Sequence, residues 1–291
     1  MNSRNSSPII SRLNRRYFLV AAGSFATSLL FASCASSSQE GTSQGTASNE
    51  TATLKVGATP VPHAEILGYV KENLAAEAGL NLEIVEFSDY VQPNLALNDK
   101  QIDANYFQHK PYMEDFGKQR GIDMVAAAVV HIEPLGLYSR TIKALNDVKD
   151  GAQIAVPNDA TNLGRSLKLL QEQNLIQLKE GAGVAATKQD ITTNDKNLKL
   201  VELEAAQLPR SLDDVDLAVI NGNYAIQSGL SPAKDALALE SATNNPYANV
   251  LAVLRDRATD PNIQKLNKLL TSPQVKQFIE EKYQGAVIPG F

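Results

Sequence analysis

QIAVPNDATNLGRSLKLLQEQ, residues 153–173, holds the local pattern that decides the fold. Gln153 to Val156 reads as a short strand, Pro157 to Thr161 as a polar turn, and Asn162 to Gln173 as the clearest helix in the chain. The same alternation recurs on both sides. Upstream, Leu54 to Ala58 forms an apolar run. Pro62 then opens a segment with Leu67, Val70, Leu74 and Ala78 at helical spacing, stopped by Gly79. Leu80, Leu82 and Ile84 alternate with Asn81 and Glu83 on a strand that reaches Phe87. A helix around Asn94 to Asn98, a strand at Ile102 to Ala104, a helix from Lys110 to Gln119 and an apolar run from Met124 to Val130 follow. Downstream, strands are expected at Leu198 to Leu203 and Leu217 to Ile220. Strands alternating with helices predict an α/β protein on mostly parallel sheets. Two such series predict two lobes, 54–135 with 247–291 and 136–246, with crossings near Pro134 to Ser139 and Asn245 to Val250.

The first fifty residues read as an address. Arg15 and Arg16 precede an apolar stretch from Tyr17 to Ala32 that stops at Ser33 and Cys34, the order of a signal peptide over residues 1–33. The stretch is short for a transmembrane helix, which needs about 20 apolar residues. Asn14 to Leu19 resembles a twin-arginine export signal, and Leu30 to Cys34 a lipobox, with Phe31 where leucine is preferred. Cys34 is then the lipidated residue. Residues 34–53, rich in Ser, Thr, Gly, Gln and Ala, read as a flexible tether.

Apolar residues at 43% and charged residues at 20% suit a globular chain rather than a fibre or a disordered one. The formal charge is −5, and removing residues 1–33 with their four arginines takes it to −9. Such a surface repels phosphate backbones, so nucleic acid is not an expected partner. A single cysteine excludes an internal disulfide and a cysteine-cluster metal site. His63 and His131 lie far from His109 in sequence and lack metal-ligand spacing, so no metal is expected. No nucleophile elbow, phosphate loop or zinc-hydrolase motif appears, which argues against an enzyme, and no cofactor is expected.

Ligands of open α/β sheets bind beyond the carboxyl ends of strands. Four clusters sit there: Ser88 to Tyr90, Asn105 to Tyr112, Pro157 to Arg165 and Asn221 to Tyr224. Arg165, in the first turn of its helix, suits a carboxylate, which also favours the open N–H groups of a helix start. Asparagine and backbone oxygens can accept from an ammonium. Tyr90, Phe107 and Tyr112 suit a thioether or aliphatic side chain. These residue types reach as far as a small amphipathic anion or zwitterion.

FSDYVQPNLAL at 87–97, DANYFQHKPY at 103–112, VPNDATNLGRSL at 156–167, VELEAAQLPRSLDD at 201–214 and AVINGNYA at 218–225 resemble the methionine-binding lipoprotein family, the receptors of methionine ABC importers. The similarity runs in order from about Lys55 to the C-terminus. It implies a two-lobe periplasmic-binding-protein fold, type II-like, with the ligand in the cleft between lobes. It implies that Tyr90, Phe107, His109 and Tyr112 line one wall, while Asn162, Arg165 and Asn221 bind the amino-acid head group. Tyr106 varies in the family, so its role stays open. The implied activity is capture of L-methionine and delivery to an ABC importer permease. The implied location is the cell envelope, on the extracytoplasmic side, with Cys34 as membrane anchor. The alternatives are the same fold with another amino acid or a methionine-containing dipeptide, an envelope enzyme acting on a small carboxylate, or a surface interaction protein.

Overall fold

The computed structural model describes residues 52–291. The signal segment 1–33, Cys34 and the tether as far as residue 51 lie outside the described residues. The tether's expected end at residue 53 is corrected: Ala52 and Thr53 already pair in the first strand. No helix among the described residues is long and apolar enough to cross a membrane.

The chain opens with β1 (Ala52–Ala58), α1 (Glu65–Asn73), β2 (Leu80–Glu86), α2 (Gln92–Asn98), β3 (Ala104–His109) and α3 (Lys110–Arg120). β4 (Met124–Ile132) leads to β5 (Gly136–Tyr138), followed by β6 (Gln153–Pro157), α4 (Ala160–Glu172) and a small antiparallel pair, β7 (Gln177–Leu178) and β8 (Ile191–Thr193). Then come β9 (Lys199–Leu203), α5 (Leu208–Ser211), β10 (Leu217–Ile220), α6 (Gly222–Gln227), α7 (Pro232–Asp235) and β11 (Ala238–Leu239). β12 (Ala248–Leu254), α8 (Pro261–Leu270), α9 (Pro273–Tyr283) and β13 (Ile288–Pro289) complete the chain.

Two main sheets result, ordered β13-β4-β12-β3-β1-β2 and β11-β5-β10-β6-β9. The α/β class holds, but the sheets are mixed rather than mostly parallel. β1 runs parallel to β2 and β3, and β6 parallel to β9 and β10. β12 is antiparallel to β3 and β4, and β5 to β10 and β11. The reason is the route of the chain, which leaves the first sheet along β4 and re-enters it along β12. It passes between sheets after Ile132 and again after Leu239.

Alternation sets the register of the first sheet: Leu54 and Val56 sit opposite Leu82 and Ile84, and Leu54, Val56 and Leu82 are buried against Ile66, Leu67, Ile263, Leu266 and Ile279 from the covering helices. The second sheet buries Ile154, Val156, Leu217 and Val219 under Leu163, Leu167 and Leu170 of α4. Each such leucine is worth about 2–5 kcal/mol against alanine.

One strand lies elsewhere than expected. The strand placed at Ile102 to Ala104 runs instead over Ala104–His109, so much of the second cluster is strand rather than loop. Every residue of this strand is buried, and its amides satisfy one another: Asn105 and Gln108 both donate to Asn94 Oδ1 at 2.8 Å. Polar residues in a fully buried strand hide its β pattern, because alternation is a signal only where one face meets water.

Candidate functional site

The two sheets bring their strand ends together around one cavity. β3 and the first turn of α3 supply Phe107, Gln108, His109 and Tyr112, and the loop after β2 supplies Tyr90. α4 contributes Asn162 and Arg165, and the β10–α6 junction contributes Asn221, Gly222 and Asn223. Glu133, just beyond β4, and Asn249 of β12 complete the lining. The space between these atoms is about 330 Å3 when the open solvent at its mouth is included. All seven residues singled out from the sequence line this space. Glu133, Asn223 and Asn249 line it as well. Glu133 had a signal available to sequence reading, as a lone carboxylate closing an apolar run just before Pro134.

Helix starts fix two of the side chains. His109 caps α3, its Nδ1 accepting from the backbone N–H of Tyr112 at 3.1 Å, so its Nε2 carries the proton and donates to Asn162 Oδ1 at 3.1 Å. Asp159 caps α4, accepting from the backbone N–H of Asn162 at 2.9 Å, and its carboxylate also holds the Asn162 side-chain amide. Asn162 Oδ1 accepts a second bond, from Asn221 Nδ2 at 2.9 Å. The side chain of Asn162 is thus committed to the protein on both ends.

Arg165 is 3% exposed. Its Nε donates to Glu240 at 2.9 Å, its Nη2 to Glu240 at 2.5 Å and to the Glu133 carbonyl at 2.8 Å, and the guanidinium stacks over Tyr247 at 4.5 Å. Burial alone would raise the Glu240 carboxyl, but the Arg165 charge and hydrogen bonds outweigh it and hold the group below its ordinary value. Arg165 Nη1 makes no hydrogen bond among the described residues.

Tyr90, Phe107 and Tyr112 form a mutually packed aromatic wall, with ring centroids 5.8 to 6.3 Å apart. Tyr112 donates to the Tyr90 carbonyl at 3.0 Å. Tyr90 reaches across the cleft to donate to Asn223 Oδ1 at 2.5 Å, and Tyr224 donates back to the Ser88 carbonyl at 3.0 Å. Burial pushes the Tyr90 and Tyr112 hydroxyls well above their ordinary value, so both are neutral donors. Two buried atoms of residues that line the same cavity have no partner in the described structure: Asn221 Oδ1, an acceptor, and Asn223 Nδ2, a donor. Buried polar atoms are seldom left unpaired. Together they ask for a molecule with both a donor and an acceptor at its polar end and an apolar body against the aromatics.

Behind the cavity, His63 and His131, so distant in sequence, meet at Glu133, with ligand atoms of all three within 4.8 Å of one another. The three could present two imidazoles and a carboxylate to a metal. Every ring nitrogen nevertheless has a hydrogen-bond partner already, since Thr59 and Tyr106 hydroxyls back the two Nδ1 atoms. Tyr106 therefore points away from the cavity into this network. Burial lowers His63 to about 4 and His131 to about 3. Both rings are neutral near pH 7: His131 Nε2 donates a hydrogen bond to Glu133 Oε1, while His63 Nε2, 3.3 Å from the same oxygen, donates to Asn249 Oδ1.

The sequence model of the NlpA lipoprotein family matches residues 54–291, the whole of the chain beyond its first strand residues. The chain belongs to the NlpA lipoprotein family. Like its NlpA relatives, it is a substrate-binding protein and not an enzyme. The D-methionine-binding lipoprotein MetQ of Escherichia coli K12 is 44% identical over 240 residues, which cover 82% of this chain and 88% of that protein. Membrane lipoprotein TpN32 of Treponema pallidum is 42% identical over 236 residues, covering 81% of this NlpA chain and 87% of TpN32. Among solved structures, a nutrient binding protein from Burkholderia cenocepacia bound to methionine superposes with a TM-score of 0.79 at 48% identity, covering 82% of this chain and all of that one.

Proposed function

We propose that this protein is a lipid-anchored receptor that captures methionine, as the L form, in the cavity between its sheets and delivers it to an ABC importer. The observation that carries the reading is the presence of an aromatic wall and unpaired polar atoms in the lining of one cavity. The ligand carboxylate would take Arg165 Nη1 and Asn223 Nδ2, and the ammonium would take Asn221 Oδ1. The thioether would lie against Tyr90, Phe107 and Tyr112, where each sulfur–aromatic contact adds roughly 0.3 to 1.5 kcal/mol. His109 and Asn162 would hold this arrangement in place through their mutual hydrogen bond. Relatives whose names or bound ligand refer to methionine support the choice of amino acid.

Residues 54–135 with 247–291 would act as one lobe and 136–246 as the other, closing over the ligand. Cys34 would carry the lipid that holds the protein at the outer side of the cytoplasmic membrane.

The test is calorimetric titration of the full-length chain, purified in detergent and refolded to strip carried-over ligand. L-methionine should bind one-to-one and more tightly than D-methionine, leucine, phenylalanine or glycylmethionine. D-methionine binding more tightly would overturn the stereochemical part alone, and no amino acid binding would overturn the whole reading.

A further inference from the structure

Glu133 is 5% exposed and lines the cavity. Its Oε2 accepts from the backbone N–H of Asn223 at 2.6 Å, and its Oε1 from His131 Nε2 at 2.7 Å, with His63 Nε2 3.3 Å away. These neighbours give the carboxylate donors but no positive charge. His63 and His131 are neutral, and Arg165 spends its Nε and Nη2 on Glu240 and on the Glu133 backbone rather than on this carboxylate. A buried carboxylate without a cation is costly. Burial accordingly raises its carboxyl above the ordinary value, against the pull of His63, the Asn223 N–H and Arg165.

The same cavity holds a second acceptor. Asn221 and Gly222 line the same cavity, and a Cβ added at Gly222 would meet Glu133 Cβ at 2.7 Å and Oε2 at 3.2 Å, so the lack of a side chain there lets the β10–α6 junction pack directly against Glu133. Asn221 Oδ1 is the buried acceptor without a partner. An ammonium lodged between the two would find one charged and one neutral acceptor. A hydroxyl in its place would bring no charge, and an acylated nitrogen would bring neither charge nor room.

We propose that Glu133, oriented by the paired imidazoles of His131 and His63, is the residue that makes this site select a ligand with a free, protonated amino group. The inference rests on the amino-acid reading above and goes further by assigning discrimination to a residue and to the buried pair behind it. His131 and His63 are positioning residues: they never touch the ligand, and they aim the carboxylate. Thr59, Tyr106 and Asn249 in turn fix the rings.

The test compares methionine with 2-hydroxy-4-(methylthio)butanoate, which has the same skeleton and carboxylate but a hydroxyl for the ammonium, on the full-length wild type and on Glu133→Gln. Wild type should prefer methionine by roughly 100-fold or more, since sites built to pair a polar group reject analogues lacking it strongly. Glu133→Gln should lose most of its methionine affinity while holding the hydroxy acid unchanged, so the preference falls below about tenfold. His131→Gln should reduce the preference to an intermediate value with the hydroxy acid again unchanged, whereas a merely structural role would weaken both compounds alike.

Equal loss of both compounds in Glu133→Gln, or a wild-type preference under threefold, would overturn the inference. The wild-type comparison stands even if the variants fail to fold. Wild type that binds neither compound sinks the methionine reading first. The comparison then passes to the best-bound amino acid and its own 2-hydroxy analogue, and a site that binds no amino acid overturns this inference too.

Discussion

Asn221 and Arg165 face the same cavity but differ in what their loss should do. Asn221 gives the protein one bond through Nδ2, and its Oδ1 has no protein partner. Asn221→Ala should therefore weaken methionine binding by about 1.5 to 3 kcal/mol, the range for a hydrogen bond to a charged group, while moving stability by under about 1 kcal/mol. Calorimetry beside urea unfolding reads the two separately. Arg165→Ala should cost both, because it strands the buried Glu240 carboxylate as well as the ligand's. Removing one partner of a buried pair costs about 3–5 kcal/mol, so urea unfolding should show a loss of that order even without ligand. Arg165→Lys would keep a charge but not the fork that reaches Glu240 and the Glu133 carbonyl together. Unchanged stability in Arg165→Ala would show that the Glu240 pair does not hold the crossover segments.

At the scale of elements, α4 joins the head-group residues to the second core. Asp159 caps it and Leu163, Leu167 and Leu170 bury its inner face. Gly164 sits where a Cβ would meet the Val184 carbonyl oxygen at 2.4 Å, so the segment before Ala186 packs directly on the helix backbone. Gly164→Ala should push that segment or the helix aside and lower stability by roughly 1–3 kcal/mol, the usual cost of overpacking. Arg165 is the next residue, so methionine affinity should fall with it. Thermal unfolding and titration of the variant check both, and a neutral substitution would mean that the 182–186 segment yields freely. Asp159→Ala should cost about 1–2 kcal/mol from the lost cap and should also release the Asn162 amide.

Across the whole molecule, three histidines are buried neutral. His63 stands at about 4, and His109 and His131 at about 3, each lowered chiefly by burial, with Arg165 adding to the effect at His109. In the unfolded chain a histidine titrates near 6.5. Between pH 6.5 and 4 the unfolded state therefore binds protons that the folded state does not, and stability falls as the pH drops. Each ring contributes roughly 1.4 kcal/mol per pH unit within that window. Glu133 and Asp159, both raised by burial, act in the opposite sense and offset part of the loss, because the folded state protonates them first. The melting temperature without ligand should fall steadily from pH 6.5 to 4.5, and His109→Gln should make the fall shallower. A flat profile would mean that the rings are open to protonation in the folded state. Saturating methionine at 100 times its Kd should add about 2.7 kcal/mol of stability.

The α/β class and the strand–turn–helix unit at 153–173 were legible in the sequence, and the residues of the aromatic wall could be named from it. Each of those signals is local: alternation, helical spacing, caps and an uninterrupted order of motif blocks. The antiparallel pairings of β12 and β5 were not legible, because strand direction depends on a chain path that closes over roughly 80 to 150 residues. Nor was β3, whose polar residues satisfy one another inside a fully buried strand. The meeting of His63, His131 and Glu133, the grip of Glu240 on Arg165 and the unpaired oxygen of Asn221 belong to the tertiary structure alone. Sequence names the side chains that can carry a charge or a proton. Which of them are spent on one another, and which are left over for a ligand, is decided only when distant segments are packed into the same dry space.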